Sequence, residues 1–456
     1  MTPSLRYPFA SDERPQPDLG AALDPLCGIV TALRSPEIPG GAPADFLCVV
    51  AEVADTRHYG GWYADRIAAG TAFGDPGRAR NAAIGEAFER YCGNFLPPLT
   101  APTSHAALVS RGKAALGPDD LPRWSDEQLG RPGFAYREFT GDTEVEWVAG
   151  VDANGAETWA PASWVYLNYH HGARRQLPRI NHLNYSGIAT GSSPADAARR
   201  ALAELVERDA MVTWWYSGAG AVGLDQETIP GFRQRWQGGP LRVDLVVVPT
   251  DLPLIVVGAY VFDERTGVPA SGFAAAPDAA SAAEKASQEA LQVWIASSGL
   301  LRPDGSSWRA IAEGILARRV YFPYRENRAY LDDAGDGFRH VKDLASQTQL
   351  WLDPRMLAHA HRFTSPTAMV SAEKLGTGSI DEVVAALTGR GHPPVAFDLT
   401  TPDVAEIGAA TVRVLAPGLQ PNAPAGYQYL GTARLHQRKQ DLAPGATPVL
   451  APPPHN

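Results

Sequence analysis

Short hydrophobic runs separated by turn residues recur along the chain, a pattern that predicts several buried strands. The first run, residues 46–53, combines Phe, Leu, Cys, Val and Ala, and its charged residue is Glu52, next to its end. Two later runs are joined by a segment with two prolines, which predicts a tight connection between neighbouring strands. Aromatic and β-branched residues on both sides of the turn Asp152-Ala153-Asn154-Gly155 predict a β-hairpin. The predicted strands outside the hairpin span residues 46–53, 245–248, 254–262, 395–398 and 411–415.

Three helices begin with clear start signals. Asp75 is followed by Pro76, and Ser193 by Pro194, which is the typical order of an N-cap residue and a proline in the first turn. Asp278 caps a third helix. These helices are predicted to extend to about residues 91, 216 and 297.

Proline-rich segments flank the body of the chain. Residues 1–43 are predicted to form an irregular N-terminal arm, interrupted by the apolar run 26–33, and residues 441–456 a proline-rich C-terminal tail. Residues 44–440 then form one large catalytic domain. Strands and helices in this order predict an α+β fold with mixed β-sheets packed against helices.

The composition is that of a folded enzyme, since 45% of the 456 residues are hydrophobic and 20% are charged. A formal net charge of −10 argues against binding to duplex nucleic acid, which requires a basic surface. Cys27, Cys48 and Cys92 form no CxxC pair or Cys/His cluster, so neither a disulfide framework nor a zinc site is predicted. No signal peptide or membrane-spanning run is recognisable, and we therefore expect a cytoplasmic protein with no membrane partner.

The pattern Glu-x-x-Glu-Arg occurs twice, at residues 86–90 and 204–208, each time on a predicted helix. Residues three and four apart lie on one face of a helix, so each motif presents two carboxylates to the same side. One such motif alone is typical of a solvated helix with an ion pair worth about 0.3–0.5 kcal/mol. Apolar neighbours on both helices instead indicate that the motifs are largely buried. The repetition also suggests an internal duplication around a shared cleft.

Four carboxylates in a partly buried site repel one another unless cations neutralise them. Glutamate oxygens are hard ligands that suit Mg²⁺ carrying nucleotide phosphates, and arginines can donate to phosphate oxygens in pairs. A di-iron site is rejected because it needs Glu-x-x-His. The chain has no P-loop and no GxSxG motif, and the GxGxxG match at residues 218–223 follows a helix and is predicted to be a loop.

Seven short blocks of the sequence, among them the two Glu-x-x-Glu-Arg motifs, resemble blocks of the YcaO family, and specifically of the peptide cyclodehydratases that form thiazolines and oxazolines. The resemblance covers residues 24 to the C-terminus, nearly the whole chain, and the blocks occur in the family's order. They are residues 80–91 (RNAAIGEAFERY), 185–191 (YSGIATG), 201–210 (ALAELVERDA), 288–292 (QEALQ), 397–400 (FDLT), 412–414 (VRV) and 417–418 (PG). The family's fold, an ATP cleft between mixed sheets and helices, is implied.

The resemblance implies a role for each matching residue. Mg²⁺, and through it the phosphates of ATP, would be bound by Glu86, Glu89, Glu204 and Glu207. Phosphates would be contacted, or the carboxylates oriented, by Arg90 and Arg208, and the nucleotide pocket would also be lined by Ser186, Glu289 and Gln292. The residues expected to be catalytic are Glu86, Glu207, Arg90 and Pro454.

The chain departs from the family at several positions. Ala82 stands where serine is frequent, Ser186 near a usual asparagine, and Trp294 where an arginine is frequent. The group that contacts the γ-phosphate is therefore left open, with Lys285 as one candidate cation. The ending, with Pro448 and three prolines before His455-Asn456, is an imperfect match to the alternating proline motif that reaches the family's active site. A frayed terminus is the alternative interpretation.

The implied activity is ATP-dependent cyclisation of Cys, Ser or Thr side chains of a ribosomal precursor peptide onto the preceding backbone amide. Implied partners are the precursor peptide, a separate leader-peptide-binding protein that resembles an activating enzyme, and an azoline dehydrogenase, with a homodimer as the default assembly. Thioamide or amidine formation is the alternative within the family. A non-catalytic peptide-binding scaffold of a maturation complex is the alternative of another class.

Overall fold

The structure, a computed structural model, describes residues 8–10, 15, 17–59, 65–447 and 449–455. Within these ranges the chain forms three β-sheets and fourteen α-helices. The strands are β1 Val30–Arg34, β2 Phe46–Val53, β3 Ile67–Phe73, β4 Trp147–Asp152, β5 Glu157–Pro161, β6 Ile188–Gly191, β7 Val222–Leu224, β8 Leu241–Val247, β9 Ile255–Asp263, β10 Val268–Ala276, β11 Ala368–Val370, β12 Val395–Asp398 and β13 Ala410–Leu415. The helices are α1 Pro76–Gly93, α2 His105–Ser110, α3 Asp126–Leu129, α4 Ala162–Val165, α5 Pro194–Ser217, α6 Phe232–Arg235, α7 Ala279–Ser298, α8 Ser306–Ala312, α9 Leu331–Ala334, α10 Leu344–Leu350, α11 His361–Thr364, α12 Ile380–Gly389, α13 Pro402–Glu406 and α14 Ala433–Leu442.

The three sheets have the strand orders β1-β2-β3, β10-β9-β8-β7-β11 and β5-β4-β12-β13-β6. All neighbouring strands are antiparallel except β11, which pairs parallel to β7. The predicted α+β fold with mixed sheets is therefore confirmed.

Helix α1 packs tightly on the first sheet. Asp75 caps it by accepting a hydrogen bond from the Arg78 amide, and Pro76 occupies its first turn. Gly70 on β3 faces the helix so closely that a Cβ atom there would collide with the backbone of Ala79 and Ala83. The glycine thus sets how near the carboxylates of α1 come to the sheet.

Helix α7 packs in the same way on the second sheet. Gly272 on β10 approaches the helix so closely that a Cβ atom would collide with the backbone of Ala286 and Ala290. A hairpin followed by a helix therefore occurs twice, as β2-β3-α1 and as β9-β10-α7. This structural repeat relates α1 to α7, whereas the sequence repeat relates α1 to α5, which follows the single strand β6.

The described residues form two hydrophobic cores, and strand β6 contacts both α1 and α5 where the cores meet. One core combines α5 and α7 with β8–β10, and the other combines α1 with the first sheet, β4, β5 and β12. Strand β6 contributes to both cores, with Ile188 in one and Ala189 in the other. The carboxylates of α1 and α5 consequently meet beside β6.

The predicted strands, hairpin and capped helices are all present, with ends within a few residues of the prediction. Strand β10 escaped prediction because its nine residues are all buried and mostly small, so they show no apolar–polar alternation. Asp278, Ser193 and Asp75 each accept the expected N-cap hydrogen bond.

The expectation of an irregular N-terminal arm at residues 1–43 needs correction, because β1 lies within it and pairs with β2. Residues 1–7, 11–14 and 16 of the arm, and Pro448 and Asn456 of the tail, lie outside the described residues. Residues 218–221 are a loop, as predicted for the GxGxxG segment, while its last two residues begin β7. Among the helices that the structure describes, none has the length and apolar character needed to cross a bilayer.

Candidate functional site

Three helices direct carboxylates to one place: α1 carries Glu86 and Glu89, α5 carries Glu204 and Glu207, and α7 carries Glu289. Burial, then the charges of Glu86 and Glu204, raise the pKa of Glu89 to about 8. Burial also raises the pKa of Glu207 to about 8, with the charges of Glu289 and Glu204 adding to the effect. The structure thus brings together all four predicted metal ligands, with Glu204 near both Glu89 and Glu207. Glu289 joins them as a fifth carboxylate.

Backbone amides at strand β6 fix the orientation of two of these carboxylates. The Thr190 amide donates to Glu89 Oε1 at 2.9 Å, and the Gly187 amide donates to Glu204 Oε2 at 3.1 Å. Gly187 has a φ of +85°, a conformation that glycine adopts without strain. The same short segment therefore aligns one carboxylate from α1 and one from α5.

Glu86 is held by a separate network that includes strand β3 and Arg90. Its Oε2 atom accepts a hydrogen bond of 2.8 Å from the Ala69 amide on β3, and its Oε1 atom accepts one of 2.7 Å from Arg90. The Arg90 guanidinium lies 4.4 Å above the ring of Tyr185, whose hydroxyl donates to Asp65. Although burial opposes it, the Glu86 charge raises the pKa of Arg90. In this arrangement Arg90 orients a carboxylate.

Arg208 pairs with the second motif. Its Nη1 atom lies 2.9 Å from Glu207 Oε1, and its Nε atom lies 3.8 Å from Glu204. The N–H groups of Arg208 do not point at Glu207 Oε1, which is buried without a hydrogen bond. Glu289 Oε2 is likewise buried without one. Two carboxylate oxygens in the cluster therefore have unused acceptor capacity.

Ser186 and Gln292 have different surroundings. Ser186 is buried, its amide donates to the Asn184 side chain, and its carbonyl accepts from Arg413, so it shapes the loop before β6. Gln292 is half-buried on α7, three residues after Glu289 and hence on the same side of the helix.

Trp294 stands where the resemblance to the family leads us to expect an arginine, and its surroundings differ from those of the carboxylates. Trp294 is fully buried in the core that contains α7. Lys285, one turn before Glu289, keeps an exposed side chain, and although desolvation opposes it, the charges of Glu289 and Glu207 raise its pKa. Lys285 is therefore the cation of α7 that faces the carboxylates.

The C-terminal tail is fixed in place. The indole nitrogens of Trp215 and Trp351 donate to the carbonyls of Ala451 and Pro452, at 2.7 Å and 3.0 Å. The carbonyl of Pro454 accepts hydrogen bonds from both the amide and the hydroxyl of Ser271. Residues 451–455 are all buried, so this end of the tail is packed and does not fray.

The tail brings His455 into contact with Arg208. His455 has no role predicted from the sequence, because a penultimate histidine carries no local signal of its surroundings. Its carbonyl accepts a hydrogen bond of 2.9 Å from Gln347, which fixes the backbone next to Pro454.

Arg413 is a second residue without a role predicted from the sequence. It is fully buried on β13, and its guanidinium donates to the carbonyls of Val165, Asn184 and Ser186. Burial lowers the pKa of Arg413 to about 9, and the charges of Glu204 and Glu89 oppose this shift. An arginine between valines in a buried strand is the signal that could have identified it.

The residues present fit a divalent cation and phosphate groups. Carboxylate oxygens are hard donors, and the unpaired oxygens of Glu207 and Glu289 provide acceptor capacity that a cation would use. Arg90, Arg208 and Lys285 supply positive charge beside them.

Comparison with known proteins identifies the family of the chain and its fold. A family model described as YcaO cyclodehydratase, binding ATP and Mg²⁺, matches residues 74–420. A heterocyclase solved in complex with substrate and cofactor is similar with a TM-score of 0.65 and 18% identity, over 88% of this chain and 51% of that chain. The E. coli microcin synthetase McbBCD complex contains a chain similar with a TM-score of 0.53 and 12% identity, over 91% of this chain and 96% of that chain.

An uncharacterised protein of Methanothermobacter thermautotrophicus is 26% identical over 192 residues, which is 41% of this chain and 45% of that protein. The chain thus spans about half the length of this relative and of the heterocyclase. At these identities the solved structures establish a shared fold.

Proposed function

The chain belongs to the YcaO family, and on that premise we propose that it is an ATP-dependent peptide cyclodehydratase that converts Cys, Ser or Thr residues of a ribosomal precursor peptide into thiazoline or oxazoline rings. The observation that carries the proposal is the carboxylate cluster of α1, α5 and α7. Its two unpaired, buried carboxylate oxygens and adjoining arginines suit a Mg²⁺-nucleotide complex.

In the proposed reaction, the substrate side chain loses its thiol or hydroxyl proton, attacks the preceding backbone carbonyl and forms a hemiorthoamide oxyanion. This oxyanion accepts the γ-phosphoryl group of ATP, and phosphate then leaves with the former carbonyl oxygen while the amide nitrogen loses its proton. The products are an azoline, ADP and phosphate. Bound Mg²⁺-ATP supplies the phosphoryl group, which replaces hydroxide, a poor leaving group, by phosphate, a good one.

The chain's own residues position these reactants. Glu86, Glu89, Glu204 and Glu207 would hold Mg²⁺, and the amides of β6 keep two of these carboxylates aligned before anything binds. Arg90 keeps Glu86 oriented. Arg208, which lies beside Glu207 and contacts His455, would face phosphate.

The remaining predicted residues complete the proposed pocket. Ser186, Glu289 and Gln292 would line the nucleotide pocket, and Lys285 would face the γ-phosphate in place of the family's arginine. Pro454 anchors the tail at Ser271, next to the cluster. Because the peptide supplies the nucleophile, no serine or cysteine of the enzyme is needed, and buried Cys92 is left as a core residue whose pKa burial raises to about 11.

The proposed partners are the precursor peptide, a separate leader-peptide-binding protein that resembles an activating enzyme, and an azoline dehydrogenase. The E. coli microcin synthetase, which is similar in fold, is itself a complex, McbBCD. We propose that the enzyme works in the cytoplasm and that a homodimer is its resting assembly. Residues 44–440 would be the catalytic domain, with the N-terminal arm and the tail as its extensions.

The test measures ADP, phosphate and peptide mass together, with purified protein, Mg²⁺-ATP, a precursor rich in Cys, Ser and Thr, and its leader-binding partner. We expect a loss of about 18 Da per ring in step with ATP turnover, abolished in Glu86→Gln and Glu207→Gln and retained in the exposed control Glu313→Gln. A mass gain that requires added sulfide would support thioamide formation instead. Peptide binding without nucleotide binding would support the scaffold.

A further inference from the structure

Beside the carboxylate cluster, the chain's penultimate residue completes a set of three metal-ligating groups. One ligand atom each from Glu207, Glu289 and His455 lies within 4.8 Å of the other two. Glu207 is 1% exposed and His455 is 2% exposed. The three groups come from α5, α7 and the tail, so only the folded chain assembles them.

The hydrogen bonds of the imidazole determine which of its nitrogens is available. His455 Nδ1 lies 3.3 Å from the carbonyl oxygen of Ser271, which can only accept a hydrogen bond. Nδ1 therefore carries the proton, and Nε2 presents a lone pair. A histidine whose outer nitrogen donates to a backbone carbonyl is the usual arrangement of a metal ligand.

The imidazole is also held rigidly. Ser271 bonds the carbonyl of Pro454 twice, Gln347 bonds the carbonyl of His455, and the ring of Phe273 lies edge-on to the imidazole at 5.2 Å between ring centres. Little conformational entropy remains to be lost when the ring binds a ligand.

The carboxylates next to His455 are not saturated. Glu207 Oε1 and Glu289 Oε2 are buried without hydrogen bonds. The rival for the site is Arg208, which lies 2.9 Å from Glu207 Oε1 and contacts His455 Nε2. Arg208 leaves both carboxylate oxygens unbonded but contacts the imidazole nitrogen, so a bound ion must displace Arg208 from His455 Nε2.

We propose that Glu207, Glu289 and His455 bind a divalent transition-metal ion, and that His455 gives this site a preference for Mn²⁺ over Mg²⁺. Mg²⁺ strongly favours oxygen ligands, whereas a set of two carboxylates and one imidazole suits ions such as Mn²⁺ and Zn²⁺. Arg208 turns away from the metal toward solvent or phosphate when the ion binds. The inference rests on the proposed function only for the use of the metal, because binding is measurable without nucleotide or peptide.

The test uses Mn²⁺ alone as the probe, added to the full chain without nucleotide. Titration followed by the electron paramagnetic resonance signal of free Mn²⁺ gives the affinity, and pulsed measurements detect coupling of bound Mn²⁺ to an imidazole nitrogen. We expect that coupling in the wild-type protein and in His436→Ala, a control at an exposed position of α14. His455→Ala should lose the coupling and bind Mn²⁺ about 10- to 100-fold more weakly.

Two further variants keep the test decisive if His455→Ala folds poorly. His455→Gln keeps a polar side chain of similar reach and should also abolish the nitrogen coupling. Glu289→Gln should weaken Mn²⁺ binding while the coupling of any residual bound ion remains. Nitrogen coupling absent from the wild-type protein, or Mn²⁺ affinity of both His455 variants equal to that of the wild-type protein, would overturn the proposal and leave His455 as a partner of Arg208. That result leaves the proposed cyclodehydratase activity intact, and failure of ATP turnover in the proposed reaction would leave the Mn²⁺ result intact.

Discussion

Arg413 donates a hydrogen bond of 2.5 Å to the carbonyl oxygen of Ser186 from a side chain that is fully buried. The carbonyls of Asn184 and Val165 accept its other hydrogen bonds, at 2.7 Å and 3.0 Å. A buried guanidinium thus fixes the loop whose next amide, that of Gly187, aligns Glu204. The geometry of the carboxylate cluster depends on a residue that contacts none of its oxygens.

Arg413→Lys should destabilise the protein although the charge is kept, because an ammonium group on a flexible stem cannot reproduce the planar set of donors. With at least one buried carbonyl left unpaired, we expect a loss of about 2–4 kcal/mol in the free energy of unfolding. Chemical denaturation measures it, with the exposed Arg302→Lys as the matched control. Equal stability of the two variants would show that the hydrogen bonds of Arg413 contribute little.

Glu207→Gln should separate stability from nucleotide binding. With a pKa of about 8, Glu207 is mostly protonated at pH 7 in the absence of a metal, and glutamine resembles that neutral form. The thermal midpoint of the variant should therefore stay within about 3 °C of the wild-type value. The upward shift that Mg²⁺ and a non-hydrolysable ATP analogue produce in the wild-type protein should disappear.

The same thermal measurement on Glu313→Gln, at an exposed position, should reproduce the wild-type shift. A nucleotide-dependent shift of wild-type size in Glu207→Gln would contradict the assignment of Glu207 to the metal site.

Removal of residues 451–456 should reduce the rate of cyclisation much more than it reduces the affinity for nucleotide. The tail carbonyls accept hydrogen bonds from the indoles of Trp215 and Trp351, from the amide and hydroxyl of Ser271 and from Gln347, so truncation leaves these five donors without their acceptors. We expect a fall of about 100-fold or more in the rate of ring formation, of the size seen when one positioned group is lost. The affinity for the ATP analogue should change less, and tryptophan fluorescence should shift to longer wavelength. Unchanged ring formation in the truncated chain would exclude a role of the tail.

Stability should fall as the pH drops from about 6.5 to about 4, in part because of His182. Burial lowers its pKa to about 4, and its Nδ1 atom lies 2.7 Å from the Tyr136 hydroxyl. The unfolded chain binds a proton near pH 6.5 and the folded chain only near pH 4, so protonation favours unfolding within that window. Above pH 6.5 the histidine is neutral in both states and has no such effect.

Comparison with His182→Asn isolates this contribution. Between pH 7 and pH 5 the wild-type protein should lose about 1–2 kcal/mol of unfolding free energy more than the variant, because the variant has no titratable side chain at position 182. Parallel pH profiles of the two proteins would contradict the prediction.

Local signals made much of the fold predictable. The caps at Asp75, Ser193 and Asp278 depend on a few neighbouring residues, and so the three helices that carry the cluster were predicted correctly. The pairing of two carboxylates on each face follows from helix geometry alone. The matches to the YcaO blocks added the family, which the family model confirms.

Contacts between distant residues were not predictable in this way. His455 meets Arg208 across 247 positions of the chain, and Arg413 bonds Ser186 across 227. Strand β10 consists of nine buried residues without alternation, so neither its existence nor its close approach to α7 at Gly272 follows from periodicity. These features require the assembled fold, because no short segment contains both partners.

The most direct test of the central claim, that the enzyme activates a peptide amide by phosphorylating its oxygen, follows that oxygen. A precursor with ¹⁸O in the carbonyl before the cyclising residue is converted with Mg²⁺-ATP and the leader-binding partner, and the released phosphate is analysed by mass spectrometry. One ¹⁸O atom per ring in the phosphate is the predicted result. Unlabelled phosphate, with the ¹⁸O released as water, would contradict the account.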